Sequence, residues 1–401
     1  MRLLLYSSQF PTPQDPNGGI FTAQLGEAMA RQAEVSVVCP IPWCPDTAWA
    51  RRSQACRWYA GVPRSTQYGA LPVYYPKYVQ LPRISGPLQP MFQALGSFGL
   101  LRRLQQQGKI DAINAHWIYP DGVAATWMAR RLGIPVMLTA LGSDINVYTH
   151  YPWRRRQILW ALQQANGVSA VSQALVTAIE RLGVDPGKLR LIRNGVNTSV
   201  FSRADEATIR SLRRQLGLRD ERKYLVFVGR LHPVKGLVHL LEALSLLHSR
   251  GNLNFDTILV GDGELRPELE RTVAARDLVE QVRFTGEVAH PRVREWLQAG
   301  DAFCLPSLME GMPNVVLEAQ ACGLPVVASR VGGLPEMVGP QAGILVEPAK
   351  PADLAEALER LFSKAWDREE IARAAGLQSW EAVASQYLAA VEGMSGHAGR
   401  G

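Results

Sequence analysis

Two carboxylates eight positions apart, Glu310 and Glu318, bracket Gly311-Met312-Pro313-Asn314-Val315, which reads as the opening of a helix. Ahead of them the apolar run Ala302-Phe303-Cys304-Leu305 ends in Pro306-Ser307, the pattern of a buried parallel strand running into a loop. Proline costs little at a helix start, because the first N–H groups have no intrahelical partner. Those free N–H groups, with the positive end of the helix dipole, make an anion site. With the helix starting near Asn314, Glu318 lies about one turn inside it and both carboxylates can face one crevice. A helix end that attracts phosphate, beside two acceptors for hydroxyls, suits a phosphorylated sugar. The spacing alone fits equally well a surface glutamate and a helix-face glutamate on any strand–loop–helix unit.

The stretch continues through Ala321-Cys322-Gly323-Leu324-Pro325-Val326-Val327-Ala328-Ser329 to Gly332-Gly333-Leu334-Pro335-Glu336. In this order and without gaps, it resembles the donor-site signature of retaining glycosyltransferases of family 4. The resemblance implies an α/β chain of the GT-B fold: two facing Rossmann-like domains with parallel sheets, and a C-terminal helix crossing back to the first domain. It implies transfer of sugar from a nucleotide-sugar, with retention through a front-face mechanism in which the leaving phosphate helps deprotonate the acceptor. The loops Pro16–Phe21 and His116–Gly122 look most like those of enzymes of teichuronic-acid and exopolysaccharide assembly.

Beyond the carboxylates, the chain offers cations where an anion would need them. The strand-like Tyr224–Val228 leads into Gly229-Arg230-Leu231-His232-Pro233-Val234-Lys235-Gly236. A diphosphate leaving group needs its growing charge neutralised. No Asp-x-Asp pair, the usual metal holder in such enzymes, occurs in the chain, whereas Arg230 and Lys235 supply a fixed fork and a point charge. On residue type alone two loop cations read as solvated, the lone His116 at the end of Ala112–His116 as structural, and Gly18-Gly19 as an ordinary turn. The resemblance gives them roles. Arg230 and Lys235 grip the diphosphate, the loop of Gly18 and Gly19 covers it, and His116 reaches the donor sugar. Glu310 accepts from sugar hydroxyls and Glu318 from ribose hydroxyls. Gly263, Arg283, Gly311, Met312, Asn314 and Val315 complete the donor site, and Asp144 lies on a loop toward the acceptor. No cofactor or metal is expected.

At 401 residues, with 47% hydrophobic and 20% charged residues, the chain is globular and long enough for two domains. The expected division is 1–197 with a returning helix at 379–394 on the acceptor side, and 198–378 on the donor side. The formal charge of +7 is uneven: residues 1–200 carry 20 Lys and Arg against 9 Asp and Glu, and the remainder carry 23 against 27. That asymmetry points to an anionic partner for the first half, a membrane surface or nucleic acid. Aromatic residues interleaved with arginine in this half suit a membrane interface or a sugar-binding surface, and peripheral contact with an anionic membrane, without nucleic acid, is expected. Five cysteines show no metal-type spacing. The first residues are too briefly apolar for a signal peptide, and no run approaches the ~18 residues of a span. A cytoplasmic protein, peripheral at the inner face of the cell membrane, is the expectation.

The elements that must position these residues follow from alternation of short apolar runs with helical patterns, the signature of a doubly wound parallel sheet. Arg2–Ser7, Glu34–Cys39, Ala112–His116 and Val136–Leu141 read as strands of the first domain; Tyr224–Val228, Thr257–Val260, Val282–Gly286 and Ala302–Leu305 as strands of the second. After Glu34–Cys39 the chain reads as irregular, with Trp43, Trp49, Arg51, Arg52, Arg57, Trp58 and Tyr59 interleaved, and then as a helix over Gln89–Gln107 with a basic end; the resemblance is weakest from Cys44 to Gln107. Asn194–Asn197 and the polar stretch Ser202–Lys223 read as the domain junction. The function expected is transfer of a hexosyl unit from a UDP- or GDP-sugar to a glycan or lipid-linked acceptor. A nucleotide-sugar epimerase on the same fold and a non-catalytic binder of anionic polymer are the rival classes.

Overall fold

A computed structural model describes residues 1–44, 47, 56, 59–80 and 86–395. Trp49, Arg51, Arg52, Arg57 and Trp58 of the aromatic and basic stretch lie outside the described residues. The chain divides into two compact units, Met1–Asn194 with Trp380–Gly401, and Gly195–Ser379.

The first unit is built on an eight-stranded sheet. Its strands are β1 (Arg2–Tyr6), β2 (Glu34–Val38), β4 (Ser65–Tyr68), β5 (Leu71–Tyr74), β7 (Ala112–His116), β8 (Val136–Ala140), β9 (Gly167–Ala170) and β10 (Leu189–Leu191); β3 (Ile41–Pro42) and β6 (Lys77–Tyr78) pair separately. The order is β10-β9-β8-β7-β1-β2-β5-β4, parallel apart from the β4–β5 hairpin. Strands of a sheet covered on both faces read as continuous apolar runs, as Leu3-Leu4-Leu5 does with no exposed surface. The hairpin corrects the irregular reading of this region: its strands are four residues long, and only the two-residue connection Gly69-Ala70, with Gly69 at φ 55°, marks it. The helix Trp380–Ser395 packs beside the helix Ile20–Ala30, and Trp380, Val383, Ala384, Tyr387 and Val391 join the core over β1 and β2.

The second unit carries six parallel strands, β11 (Lys223–Val228), β12 (Phe255–Val260), β13 (Val282–Gly286), β14 (Ala302–Leu305), β15 (Val326–Ser329) and β16 (Gly343–Val346), in the order β13-β12-β11-β14-β15-β16. The supposed junction stretch holds a helix, Glu206–Gln215, which begins where the Asp205 carboxylate accepts from the Thr208 N–H at 2.8 Å. It is tied into the unit by Arg213, whose side chain donates to the Ala299 carbonyl and pairs with Asp301 at 2.7 Å. In both sheets the chain starts in the middle, grows to one side, and then crosses to the other. The crossing falls between β1 and β7 in the first unit and between β11 and β14 in the second. Loops diverge at such switch points and leave a crevice at the carboxyl ends of the strands, where open α/β sheets bind ligands.

Candidate active site

In the second unit the loops after β11 and β14 meet at the switch point. Lys235 comes from the first and Glu310 from the second, and Lys235 Nζ lies 2.7 Å from Glu310 Oε1. The Ser307 hydroxyl donates to the same oxygen at 2.6 Å. Among the described residues nothing donates to Glu310 Oε2. Arg230, on the loop with Lys235, is exposed and no described carboxylate pairs with it.

Glycine makes this contact of loops feasible. Gly236 sits at φ 64°, and a β-carbon there would lie 2.0 Å from the Pro306 carbonyl oxygen; the Leu308 N–H donates to the Val234 carbonyl beside it. On the other flank Gly332, at φ 54°, would place a β-carbon 2.0 Å from the Glu310 carbonyl oxygen, and the Gly333 N–H donates to the Gly311 carbonyl at 2.8 Å. The carboxylate loop is therefore clamped between neighbouring loops, after β11 and after β15. Gly263, in the loop after β12, packs on the Leu231 backbone next to Arg230.

The helix Asn314–Ala321 begins as expected, with Pro313 at its N-cap. The Val316 N–H donates to the Pro313 carbonyl, while the Gly311 and Val315 N–H groups have no acceptor among the described residues. Met312 and Asn314 are buried beside them. Glu318 is 3% exposed, and its Oε1 lies 2.7 Å from Nε2 of His290. His290 opens the helix His290–Ala299, and its ring lies 5.4 Å from that of Phe201, tilted by 55°. No motif in the sequence connected it with Glu318, since 28 residues separate them.

Arg283 does not reach this site. It stands in the first half of β13, and its guanidinium donates to the Leu216 carbonyl at 2.8 Å while lying over Trp296. The last carbonyls of a helix lack intrahelical donors, and here Arg283 caps those of Glu206–Gln215.

In the first unit, His116 ends β7 with 3% exposure, its ring 5.6 Å from that of Tyr387, and its buried Nε2 has no partner among the described residues. Burial pushes its pKa down to about 4, so the ring is neutral near pH 7. Asp121, which sequence reading passed over, is fully buried between the loops after β1 and β7. Its Oδ2 accepts from the Ser8 N–H at 2.7 Å and the Ser8 hydroxyl at 2.8 Å. Burial raises its pKa to about 7 against the Ser8 hydrogen bonds, which lower it. Its only sequence signal was a carboxylate just ahead of a helix. Asp144 is also fully buried. Its carboxylate accepts from the N–H groups of Ile118, Gly142 and Ile145 at 2.9, 2.8 and 3.1 Å, bracing the loop after β8 against the segment that follows His116. Gly18 and Gly19 pack within their own loop, against Asp15 and against the Gln9–Phe10 backbone. Among the described residues no three His, Cys, Asp or Glu side chains gather as a metal site would require.

Residues 222–364 match the family model "Glycosyl transferases group 1", and residues 18–200 match "Glycosyltransferase Family 4". A Bacillus subtilis (strain 168) protein assigned to teichuronic acid biosynthesis as glycosyltransferase TuaC is 32% identical over 364 residues, 90% of this chain and 89% of its own. D-inositol 3-phosphate glycosyltransferase of Pseudarthrobacter chlorophenolicus is 28% identical, covering 74% of this chain and 75% of its own. Among solved structures, sucrose-phosphate synthase of Thermosynechococcus elongatus superposes with a TM-score of 0.79 at 22% identity, over 98% of this chain and 99% of its own. Anabaena HepE in complex with UDP-glucose does so with a TM-score of 0.67 at 22% identity, over 99% and 98%. The two parallel-sheet units thus have the fold of GT-B glycosyltransferases, and the chain belongs to the family 4, group 1 glycosyltransferases.

Proposed function

We propose that the protein is a retaining, metal-independent hexosyltransferase that moves sugar from a UDP- or GDP-sugar to a glycan or lipid-linked acceptor in cell-surface polysaccharide synthesis. The observation that carries this reading is the Lys235–Glu310 pair at the β11/β14 switch point, with the exposed Arg230 on the same loop. Arg230 and Lys235 neutralise the diphosphate as it leaves, while the free Oε2 of Glu310 accepts from a hydroxyl of the sugar. The Gly311 and Val315 N–H groups at the helix start add donors for the phosphates. Glu318, oriented by His290, holds the ribose. Neutral His116, whose Nε2 has no partner among the described residues, supplies a hydrogen bond to the donor sugar. The teichuronic-acid relative supports a cell-surface product.

The test is a mass-spectrometric screen of nucleotide-sugars for hydrolysis or transfer, with and without EDTA. Transfer that survives chelation is expected, and complete loss restored by magnesium or manganese would refute the metal-independent reading. Calorimetry with UDP and GDP divides the carboxylates: Glu310→Gln impairs turnover and keeps nucleotide binding, while Glu318→Gln weakens nucleotide binding by about ten-fold. Equal losses in both variants contradict this assignment. An epimerase would release nucleotide from the donor without any acceptor.

A peripheral membrane contact is part of the proposal. Leu88, Met91 and Leu95 are 47, 46 and 58% exposed at the start of the helix Gln89–Gln106, whose other end carries exposed Arg102 and Arg103. Apolar side chains with nearby arginines suit the headgroup region of an anionic leaflet. No described helix is long and apolar enough to cross a membrane.

A further inference from the structure

Under the helix Trp380–Ser395 the sheet of the first unit carries an apolar cluster, in which Leu3, Leu5, Ala112 and Met137 join Val383, Ala384, Leu388 and Val391 of that helix. One row of side chains breaks the pattern. His116 of β7 is in register with Thr139 of β8, and Thr139 with Ser169 of β9, so the three stand side by side on one face, toward the carboxyl ends of their strands. Asn114, two residues before His116, points to the same face. Asn114, Thr139 and Ser169 are fully buried, and Tyr387 of the returning helix, 2% exposed, lies over the row.

The polar atoms of this row form one chain. The Tyr387 hydroxyl hydrogen-bonds with the Ser169 and Thr139 hydroxyls. Those two oxygens lie 2.9 Å apart, and the Thr139 hydroxyl donates to Asn114 Oδ1 at 3.2 Å. Buried hydroxyls of this kind add little net stability, because their hydrogen bonds only offset the cost of leaving water, and apolar residues of the same shape would serve the core about as well. What a satisfied buried chain adds is rigidity. It ties the Tyr387 hydroxyl to two strands while the helix holds the other end of the side chain, so the ring cannot swing away. The ring beside it is that of His116, with centroids 5.6 Å apart and planes tilted by 38°. His116 needs such a neighbour: its buried Nε2 has no partner among the described residues, so no hydrogen bond to that nitrogen fixes the imidazole, and packing must.

We propose that Tyr387 is a positioning residue for His116. The hydroxyl chain through Ser169, Thr139 and Asn114 anchors the tyrosine, and the tyrosine ring holds the imidazole in the orientation and the dry surroundings in which it meets the donor sugar. This rests on the reading of His116 as a group that contacts the donor sugar of a transferase. The C-terminal helix is then part of the working site and not only a cover for the first sheet.

The test compares the full chain as wild type, Tyr387→Phe, Thr139→Val and His116→Gln. Tyr387→Phe keeps the ring and removes its anchor, and Thr139→Val breaks the same chain from the sheet side with a side chain of equal shape. Nitrogen-15 NMR of histidine-labelled protein follows the imidazole, its signal assigned by loss in His116→Gln. With the ring unanchored, water reaches the imidazole, and His116 takes up its proton about one pH unit higher in both anchor variants than in wild type. Turnover of the donor found in the nucleotide-sugar screen falls at least about ten-fold in both, as misplacement of a contacting group entails, while UDP affinity stays unchanged. An unchanged His116 titration in both anchor variants overturns the proposal. So does full turnover in Tyr387→Phe where His116→Gln is impaired, and so does a matching loss of UDP affinity, which makes the chain a structural one. Full turnover in His116→Gln refutes instead the role given to the histidine, and failure of wild type to bind UDP or GDP refutes the transferase reading.

Discussion

His116 and Asp121 are both buried and respond oppositely to acid. The His116 pKa falls to about 4 on folding, from about 6.5 in an unfolded chain, so protons favour the unfolded state as pH drops from 6.5 toward 4. The Asp121 pKa rises to about 7 from 3.8, so the folded state keeps its proton and stability is lost as pH rises from 4 to 7. Each term is on the order of 3 kcal/mol, and in the wild type the two slopes largely cancel. Denaturant titrations at pH 4.5 and 7 separate them. Relative to wild type, His116→Gln loses stability on going from pH 4.5 to 7, because the Asp121 slope is then unopposed. Asp121→Asn gains stability over the same interval. Parallel curves for all three proteins would show that neither group is buried in the state assigned here. Asp144, also raised by burial, contributes to every curve and drops out of the comparison.

Among the elements, the loops after β11, β14 and β15 stand or fall together. Gly236→Ala sets a β-carbon against the Pro306 carbonyl at a positive φ, and Gly332→Ala does so against the Glu310 carbonyl. Backbone strain in the left-handed region costs roughly 1–2 kcal/mol, and the clash must also be relieved by moving a loop. Gly251 has a similar φ of 69° but open space around it, so Gly251→Ala reports the strain alone. The expected result is a small fall in Tm for Gly251→Ala with unchanged UDP affinity. Gly236→Ala and Gly332→Ala fall further in Tm and bind UDP at least about ten-fold more weakly, because the Lys235–Glu310 contact opens. UDP affinity unchanged in both site variants would separate that contact from donor binding.

Across the molecule, charge divides between the halves, and residues 1–200 hold an excess of positive charge over the remainder. Basic residues near an anionic leaflet contribute about 1 kcal/mol each, and salt screens the attraction within a Debye length. Binding to phosphatidylglycerol vesicles at low salt is expected, reduced at about 0.5 M salt, by Arg102→Glu with Arg103→Glu, and by Leu95→Asp, with UDP affinity kept in each. Failure to bind at low ionic strength would leave an enzyme that meets a soluble acceptor.

Most parallel strands, the helix start at Asn314 and the two-domain plan were legible in the chain, while Glu310, Glu318, Arg230 and Lys235 were singled out by the resemblance and their roles are proposals. Apolar runs and the Pro-Asn helix opening are local patterns, and the proposed donor-site residues fall in one ordered stretch and one loop. The hairpin β4–β5 and the helix Glu206–Gln215 escaped because four-residue strands and a polar helix carry little periodic signal. Pairings across long separations were decided only by the fold. Nothing local joins His290 to Glu318 or Ser8 to Asp121, turns Arg283 onto a helix end, or buries Asp144 among backbone donors. Burial also set the ionisation of His116 and Asp121, since desolvation depends on what the rest of the chain packs around a group and not on its neighbours in sequence.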